Sequence, residues 1–442
     1  MGDGILSKFE SFRRAILPNQ TPTRKKLDPP VAPSSPPPKD SLSLSASSKV
    51  PRAMTSALTP KLSDIGKAVA PYVATPARPG NNVQLYVNGS QAYPEIEKQI
   101  MSAKKRIDME FFTFHDDEGG AKIANELIAK AKSGVEVNLL VDLVSNIGNR
   151  ELLEKMENAG IRVKRFANGH DNPILSPDNI TDHRKILLVD GQAGMTGGMN
   201  IGTRYEKYWH DFMVKEQGPA LADMYNRFKT NWELSGGEAL RPVSVNTKPQ
   251  GTQTVQVAVT SPTEREIADS MLAATRAAKN YIMINSPYFL DKDLVEELKK
   301  AAQRKVDVKV VIPTVGDNST VDKMNKYVTN DLLAAGVKVF LYDTQNPNFE
   351  GHDHVTDNFN HGKVMTVDGV WSAIGTANAD TRSMVKNQEI NLNVDSKQFA
   401  KDIEDRIFNN DILTRAKPAK ATEVSTWETP LKEALDFLSP LF

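Results

Sequence analysis

His183-Arg-Lys-Ile-Leu-Leu-Val-Asp190 returns 178 residues later as His361-Gly-Lys-Val-Met-Thr-Val-Asp368, and both copies read H-x-K-x4-D. The agreement continues downstream. Nine residues separate Asp190 from Asn200, and nine separate Asp368 from Asn378. A further ten separate Asn200 from Asp211 and Asn378 from Glu389. One such copy would be an ordinary core strand that contains a histidine. Two copies with the same downstream spacing are a repeat.

The middle of each copy, Ile-Leu-Leu-Val and Val-Met-Thr-Val, is β-branched and apolar, which predicts a buried strand. Side chains alternate along a strand, so His183 shares a face with Lys185, and His361 with Lys363. Asp190 and Asp368 fall on the opposite face, where each is expected to fix a turn. Each copy therefore offers an imidazole, which is a nucleophile and proton carrier near neutral pH. Beside it stands an ammonium suited to an anionic group. Two such faces brought together make a site for a phosphate.

Outward from the motifs, strands alternate with helices. The pattern predicts strands over 83–87, 107–114, 135–141 and 161–166, with helices over 93–106, 120–133 and 151–158 between them. The order returns as strands over 255–259, 281–285, 306–312 and 337–341, with helices over 263–278, 291–303 and 322–335. Ala159-Gly-Ile-Arg-Val matches Ala335-Gly-Val-Lys-Val. In another matching turn Lys305 stands where the first half has Gly134. This is an α/β chain built by duplication, with domains expected over 81–247 and 248–442. Half-sites in duplicated domains meet at a pseudo-twofold interface.

Composition sets the outer bounds. The 442 residues contain no cysteine, which excludes disulfides and thiolate chemistry, and 55 basic residues balance 55 acidic ones. Neutral charge argues against a protein devoted to nucleic-acid backbones, so no nucleic-acid partner is expected. No apolar run of about 18 residues predicts a spanning helix, and no signal peptide is apparent. The expected location is cytoplasmic with peripheral membrane contact; export stays open. Residues 1–17 place Ile5, Phe9, Phe12 and Ile16 on one helical face, suited to a membrane surface or to docking on the protein itself. Leu6 stands where a myristoylation signal needs serine or threonine. The Pro/Ser-rich run from 18 to about 80 reads as a disordered tether, so 1–80 forms an N-terminal segment. The tail from Trp427 to Phe442 is amphipathic and suits packing or membrane contact.

The paired H-x-K-x4-D motifs resemble the signature of the phospholipase D superfamily. Met195-Thr-Gly-Gly-Met-Asn200 and Ile374-Gly-Thr-Ala-Asn378 resemble its Gly-rich turn ending in asparagine. With Ser286-Pro-Tyr-Phe289 and Glu216-Gln-Gly-Pro219, they bring the chain nearest to bacterial cardiolipin synthases. The resemblance covers about residues 83–410. It departs in lacking the membrane-spanning helices that often open those chains.

The resemblance implies two α/β/α domains and phosphatidyl transfer through a phosphohistidine, with a phospholipid such as phosphatidylglycerol as substrate. It implies His183 as nucleophile and His361 as acid/base. Lys185, Lys363, Asn200 and Asn378 would then donate to phosphate oxygens, and Asp211 and Glu389 would orient the imidazoles. No metal, cofactor or obligate oligomer is implied. His115-Asp116-Asp117 and His352-Asp353-His354 therefore read as polar loops rather than metal sites, and His210 as a loop or pocket residue. Hydrolysis to phosphatidic acid is the rival activity, and a nuclease-like phosphodiesterase a more distant one.

Overall fold

A computed structural model describes residues 61–167, 180–344 and 358–422. The expected helix over 1–17, the tail from Trp427 and His352-Asp353-His354 lie outside the described residues. A short helix, α1 (Asp64–Val69), opens the described chain. The first half then runs β1 (Arg78–Val87), α2 (Gly89–Ser102), β2 (Arg106–Phe111), α3 (Glu118–Lys132), β3 (Glu136–Asp142), α4 (Arg150–Asn158) and β4 (Arg162–Phe166). The antiparallel trio β5 (Lys185–Val189), β6 (Ala193–Gly197) and β7 (Phe212–Gln217) follows, closed by α5 (Leu221–Leu234).

The second half repeats that order. It comprises β8 (Gln253–Ser261), β9 (Glu264–Arg265), α6 (Glu266–Ala277), β10 (Tyr281–Asn285), α7 (Lys292–Gln303), β11 (Asp307–Pro313), α8 (Ser319–Ala334) and β12 (Lys338–Tyr342). Next come β13 (Val364–Val367), β14 (Trp371–Gly375), α9 (Thr381–Val385), β15 (Glu389–Asp395), α10 (Lys397–Ile403), α11 (Asn410–Thr414) and β16 (Ala416–Pro418).

Among the described residues the strands run in one path, β16-β12-β11-β10-β13-β14-β15-β8-β1-β7-β6-β5-β2-β3-β4, with β9 beside β8. Read outward from the central β8–β1 pair, the two sides of that path match strand for strand, with β16 an added edge strand beyond β12. This is the duplication, expressed as pseudo-twofold topology. One apolar core joins both halves: Phe212 and Phe228 share it with Val257, Ile390 and Phe408. On the opposite sheet faces, α2, α3 and α4 cover the first half, and α6 and α7 the second. Each half is thus an α/β/α layer structure.

Asp190 and Asp368 show why the motif ends in aspartate. Both lie in the left-handed region, at φ 51° and 53°. Asp190 accepts from the backbone N–H groups of Lys104, Lys105 and Arg106, and Asp368 from those of Lys279, Asn280 and Tyr281. Each carboxylate ties the start of the neighbouring strand, β2 or β10, to the end of its motif strand. The same bonds correct one boundary: the helix expected to reach residue 106 ends at Ser102, because three following N–H groups belong to Asp190.

The expected disordered run to residue 80 also needs correction. From residue 61 the chain is ordered, with Ser63 capping α1. Ile65, Val69 and Val73 are buried in the second half's core, beside Ile267, Met271 and Ala274. The Ser63 hydroxyl donates to Asp395 at 2.7 Å, and the Ala74 N–H to Glu266 at 3.0 Å. Three apolar side chains at helical spacing suffice to dock a segment whose overall composition is that of a tether.

Candidate active site

The motif histidines emerge just before β5 and β13, where each strand leaves the sheet toward the other half. The crossing is held by the backbone. The His183 N–H donates to the Gln388 carbonyl at 3.0 Å, and the His361 N–H to the His210 carbonyl at 2.8 Å. Gln388 precedes Glu389 and His210 precedes Asp211, so each histidine is delivered to the other half's carboxylate. His183 Nδ1 lies 2.9 Å from Glu389 Oε1, and His361 Nδ1 lies 2.7 Å from Asp211 Oδ2. Each pairing leaves Nε2 for the cleft that both histidines line.

The two carboxylates are held differently. Glu389 also accepts from the hydroxyls of Thr376 at 2.5 Å and Ser383 at 2.8 Å. Asp211 accepts instead from the Phe212 N–H at 2.7 Å. Gly198 occupies the position matching Thr376, and a Cβ there would sit 2.1 Å from Asp211 Oδ1. The glycine makes room for the shorter acid.

Their protonation differs accordingly. Burial alone would push Glu389 upward, but His183, Lys185 and the Thr376 hydroxyl outweigh it and hold the group below its ordinary range. Burial raises Asp211 to about 7, although Lys363 and the Phe212 N–H oppose the shift. Burial lowers His183 to about 4, against the pull of Glu389, and puts His361 well below its ordinary value with help from Lys363. Both imidazoles are therefore neutral near pH 7.

Lys185 and Lys363 lie beneath the histidines, as strand alternation requires. Each ammonium bends back to the carbonyl of its own motif histidine, at 2.5 and 2.6 Å. Burial lowers Lys185 to about 7, with help from Lys363, and lowers Lys363 to about 8 against the pull of Asp211 and Glu389. A phosphate between them would restore both charges. Asn200 and Asn378 line the same cleft of about 240 Å³. Asn200 is already engaged, accepting from the Thr113 N–H at 3.1 Å and donating to the Tyr205 hydroxyl at 2.8 Å. Asn378 Oδ1 is buried without a partner among the described residues. Asp190 and Asp368 hold the scaffold away from the cleft.

Two residue groups weighed in the sequence fall outside this assembly. His210 is fixed between Asn88 and Asp411 at 2.7 and 3.0 Å and stacks on Tyr342. Asp117 caps α3 and accepts from the Thr203 N–H, while His115 stacks against Tyr205.

The cleft also contains Phe112, Tyr205, Tyr288, Asp317, Asp380 and Arg382, which sequence reading missed. Arg382 was visible in principle, because Asn200-Ile-Gly-Thr-Arg204 and Asn378-Ala-Asp-Thr-Arg382 share N-x-x-T-R. Tyr205 belongs to a π-helical turn over Arg204–Tyr208, a widened turn that often marks functional sites. Asp317 had no such signal, since the first half has no counterpart of its loop.

A family model described as cardiolipin synthase, PLD-like domain, matches residues 96–232 and 253–412. The chain belongs to this family. It is 32% identical to a cardiolipin synthase of Clostridium perfringens over 348 residues, covering 75% of this chain and 70% of that protein. Against a cardiolipin synthase of Listeria monocytogenes serotype 4a it is 30% identical over 378 residues, covering 82% of this chain and 75% of the relative. Among solved structures, the phosphatidylserine synthase of Haemophilus influenzae Rd KW20 superposes with a TM-score of 0.64 at 14% identity. That match covers 86% of this chain and 98% of the other, and it is a likeness of fold. The chain is thus an enzyme of the phospholipase D superfamily. Among its described residues no helix is long and apolar enough to cross a membrane.

Proposed function

We propose that the enzyme transfers a phosphatidyl group between phospholipids, forming cardiolipin from two molecules of phosphatidylglycerol. The observation that carries this reading is the crossed pairing of each histidine Nδ1 with the other half's carboxylate. It leaves two Nε2 atoms and two lysines for one phosphate. In the first step His183 Nε2 attacks phosphorus, and the phosphorus–oxygen bond to the glycerol headgroup breaks. His361 Nε2–H gives its proton to the departing oxygen. In the second step His361 takes the proton of an incoming hydroxyl, whose oxygen attacks phosphorus as the bond to His183 breaks.

Two features support this order of roles. A phosphohistidine ring is cationic, and Glu389, held ionised by three donors, is the better counter-charge for it. Asp211, raised to about 7, suits a histidine that gains and loses a proton in each turnover. His361 needs to be protonated when the donor lipid is bound, and the arriving phosphate anion between Lys185 and Lys363 favours that charge. Lys185, Lys363 and the asparagine amides donate to the phosphate oxygens. The substrate lies in a bilayer, so the enzyme works in peripheral contact with a lipid surface.

Purified protein incubated with phosphatidylglycerol vesicles tests the reading, with lipids resolved by mass spectrometry. Cardiolipin with free glycerol is expected. Phosphatidic acid alone would replace transfer by hydrolysis, and an unchanged lipid would remove both. Co-sedimentation with the same vesicles tests the surface contact, and protein left wholly in the supernatant counts against it.

A further inference from the structure

The two halves match closely in their chemistry, so the places where they do not match bear on what distinguishes the two sides of the phosphate. One difference stands out at the cleft. In the first half, Asn146 accepts from the Phe114 N–H and donates to the Phe112 carbonyl. In the second half, Asn325 does the same for the Phe289 N–H and the Pro287 carbonyl. These asparagines are therefore equivalent. Yet only three residues, Leu143 to Ser145, separate β3 from Asn146, while eleven, Thr314 to Met324, separate β11 from Asn325. The second half has gained eight residues at the mouth of the cleft.

The added segment is anchored. The Gly316 N–H donates to Asp322 at 2.8 Å, and the Thr314 N–H to the Tyr342 carbonyl at 2.9 Å. Val321 and Met324 pack with Leu290 and Tyr327 in a small cluster that supports the Tyr288 ring. The Tyr288 hydroxyl donates to Asp317 Oδ1 at 2.7 Å, and both residues line the cleft. A Cβ on Gly316 would lie 3.6 Å from the Phe359 ring, whose centroid is 5.7 Å from that of His361. The insertion thus stands on the His361 side. Arg382, by contrast, donates to Thr181, two residues before His183, at 3.0 Å.

A carboxylate is an odd neighbour for a phosphate, which it repels. It is a good acceptor for hydroxyl groups, and the half-buried phenol of Tyr288 fixes its position. We propose that Asp317, positioned by Tyr288, is the acceptor that reads the second hydroxyl of a glycerol headgroup as its terminal hydroxyl reacts at His361. The same subsite would hold the departing glycerol in the first step and the attacking glycerol in the second. This makes the enzyme selective for polyhydroxylated alcohols over simple ones. The inference rests on the assignment of His361 to the alcohol side.

The test is a competition. Enzyme and phosphatidylglycerol vesicles are offered 13C-labelled glycerol, ethanol and ethanolamine, and the phosphatidyl products, the labelled phosphatidylglycerol being distinct in mass from the donor, are quantified by mass spectrometry. Asp317→Asn and Tyr288→Phe are expected to lower the glycerol-to-ethanol ratio of kcat/KM about tenfold, chiefly through the KM for glycerol. Asp317→Glu should retain part of the preference. An unchanged ratio, or an equal loss on glycerol and ethanol, would overturn the proposal. So would a variant that loses selectivity for ethanolamine instead, because the carboxylate would then be reading an ammonium group. A wild-type enzyme that forms neither cardiolipin nor any of these products contradicts the proposed function itself, whereas cardiolipin formation without transfer to free glycerol, or with an unaltered ratio in the variants, contradicts only this assignment.

Discussion

His183 Nδ1 lies 2.9 Å from Glu389 Oε1, 206 residues away and in the other half of the duplication. His361 and Asp211 repeat the relationship at 2.7 Å. Neither motif histidine is paired with the carboxylate of its own half. The duplication is therefore obligatory for this site: each copy supplies the imidazole for one pair and the acid for the other.

Removing one acid should leave the fold and lose the chemistry. Glu389→Gln keeps a hydrogen-bonding group of the same shape but no charge, and a carboxylate in this role contributes on the order of 10⁴-fold to kcat. A fall of at least 10²-fold in phosphatidyl transfer is expected for Glu389→Gln and for Asp211→Asn, with circular dichroism unchanged. Rates within a few-fold of wild type would show that the crossed pairs do not orient the imidazoles.

The lysines give the pH dependence. Burial brings Lys185 down to about 7 and Lys363 to about 8, so both lose charge as pH rises through that range. The charged forms bind the phosphate. The kcat/KM for phosphatidylglycerol, which reports the free enzyme, should therefore fall by about two orders of magnitude between pH 7 and 9. Saturating substrate holds the lysines charged, so kcat should fall later. A kcat/KM flat across that interval would mean that the ammonium groups are not needed for binding.

Much of this was legible in the sequence because the chain repeats itself. The doubled motif located both histidines, both lysines and the two carboxylates, and strand alternation placed His183 beside Lys185 and Asp190 away from them. What a repeat cannot reveal is whatever occurs once. Asp317 sits on an insertion confined to the second half. Ile65 and Val69 dock from a run whose composition is that of a tether, and the partners they bury against lie about 200 residues away. The docking itself can be tested. Ile65→Ala should destabilise the protein by about 2–4 kcal/mol if the site does not collapse, read as a shift in the urea midpoint. A surface-like change below about 0.5 kcal/mol would mean that α1 is not part of the core.

Glu216 breaks the pattern of its surroundings. It is buried on β7, and neither carboxylate oxygen has a hydrogen-bond partner among the described residues. Burial raises it from 4.5 to about 8. Between those values the folded chain holds a proton that the unfolded chain releases, so this group's contribution makes stability fall as pH rises from about 4.5 to 8. Glu216→Leu should remove that slope and raise stability at pH 7 by about 2 kcal/mol. Parallel stability profiles for the variant and wild type would place the carboxylate in a solvated or paired environment.

Lys305 offers a comparison within one chain. It follows α7 at φ 73°, while Gly134 occupies the matching turn after α3 at φ 89°. The hydrogen bonds are the same in both places. The Val306 N–H reaches the Ala301 carbonyl and the Val135 N–H the Lys130 carbonyl, each at 3.1 Å. Only a left-handed residue can close such a turn, and a side chain there costs about 1–2 kcal/mol relative to glycine's freedom. Glycine in turn gives up about 0.5–1 kcal/mol of chain entropy on folding. Lys305→Gly should therefore stabilise the second half by about 0.5–1 kcal/mol, and Gly134→Lys should destabilise the first by a similar amount. Urea denaturation of the two variants measures both. If Lys305→Gly instead lowered the midpoint, the lysine side chain would have to be contributing more at this exposed turn than its backbone conformation costs.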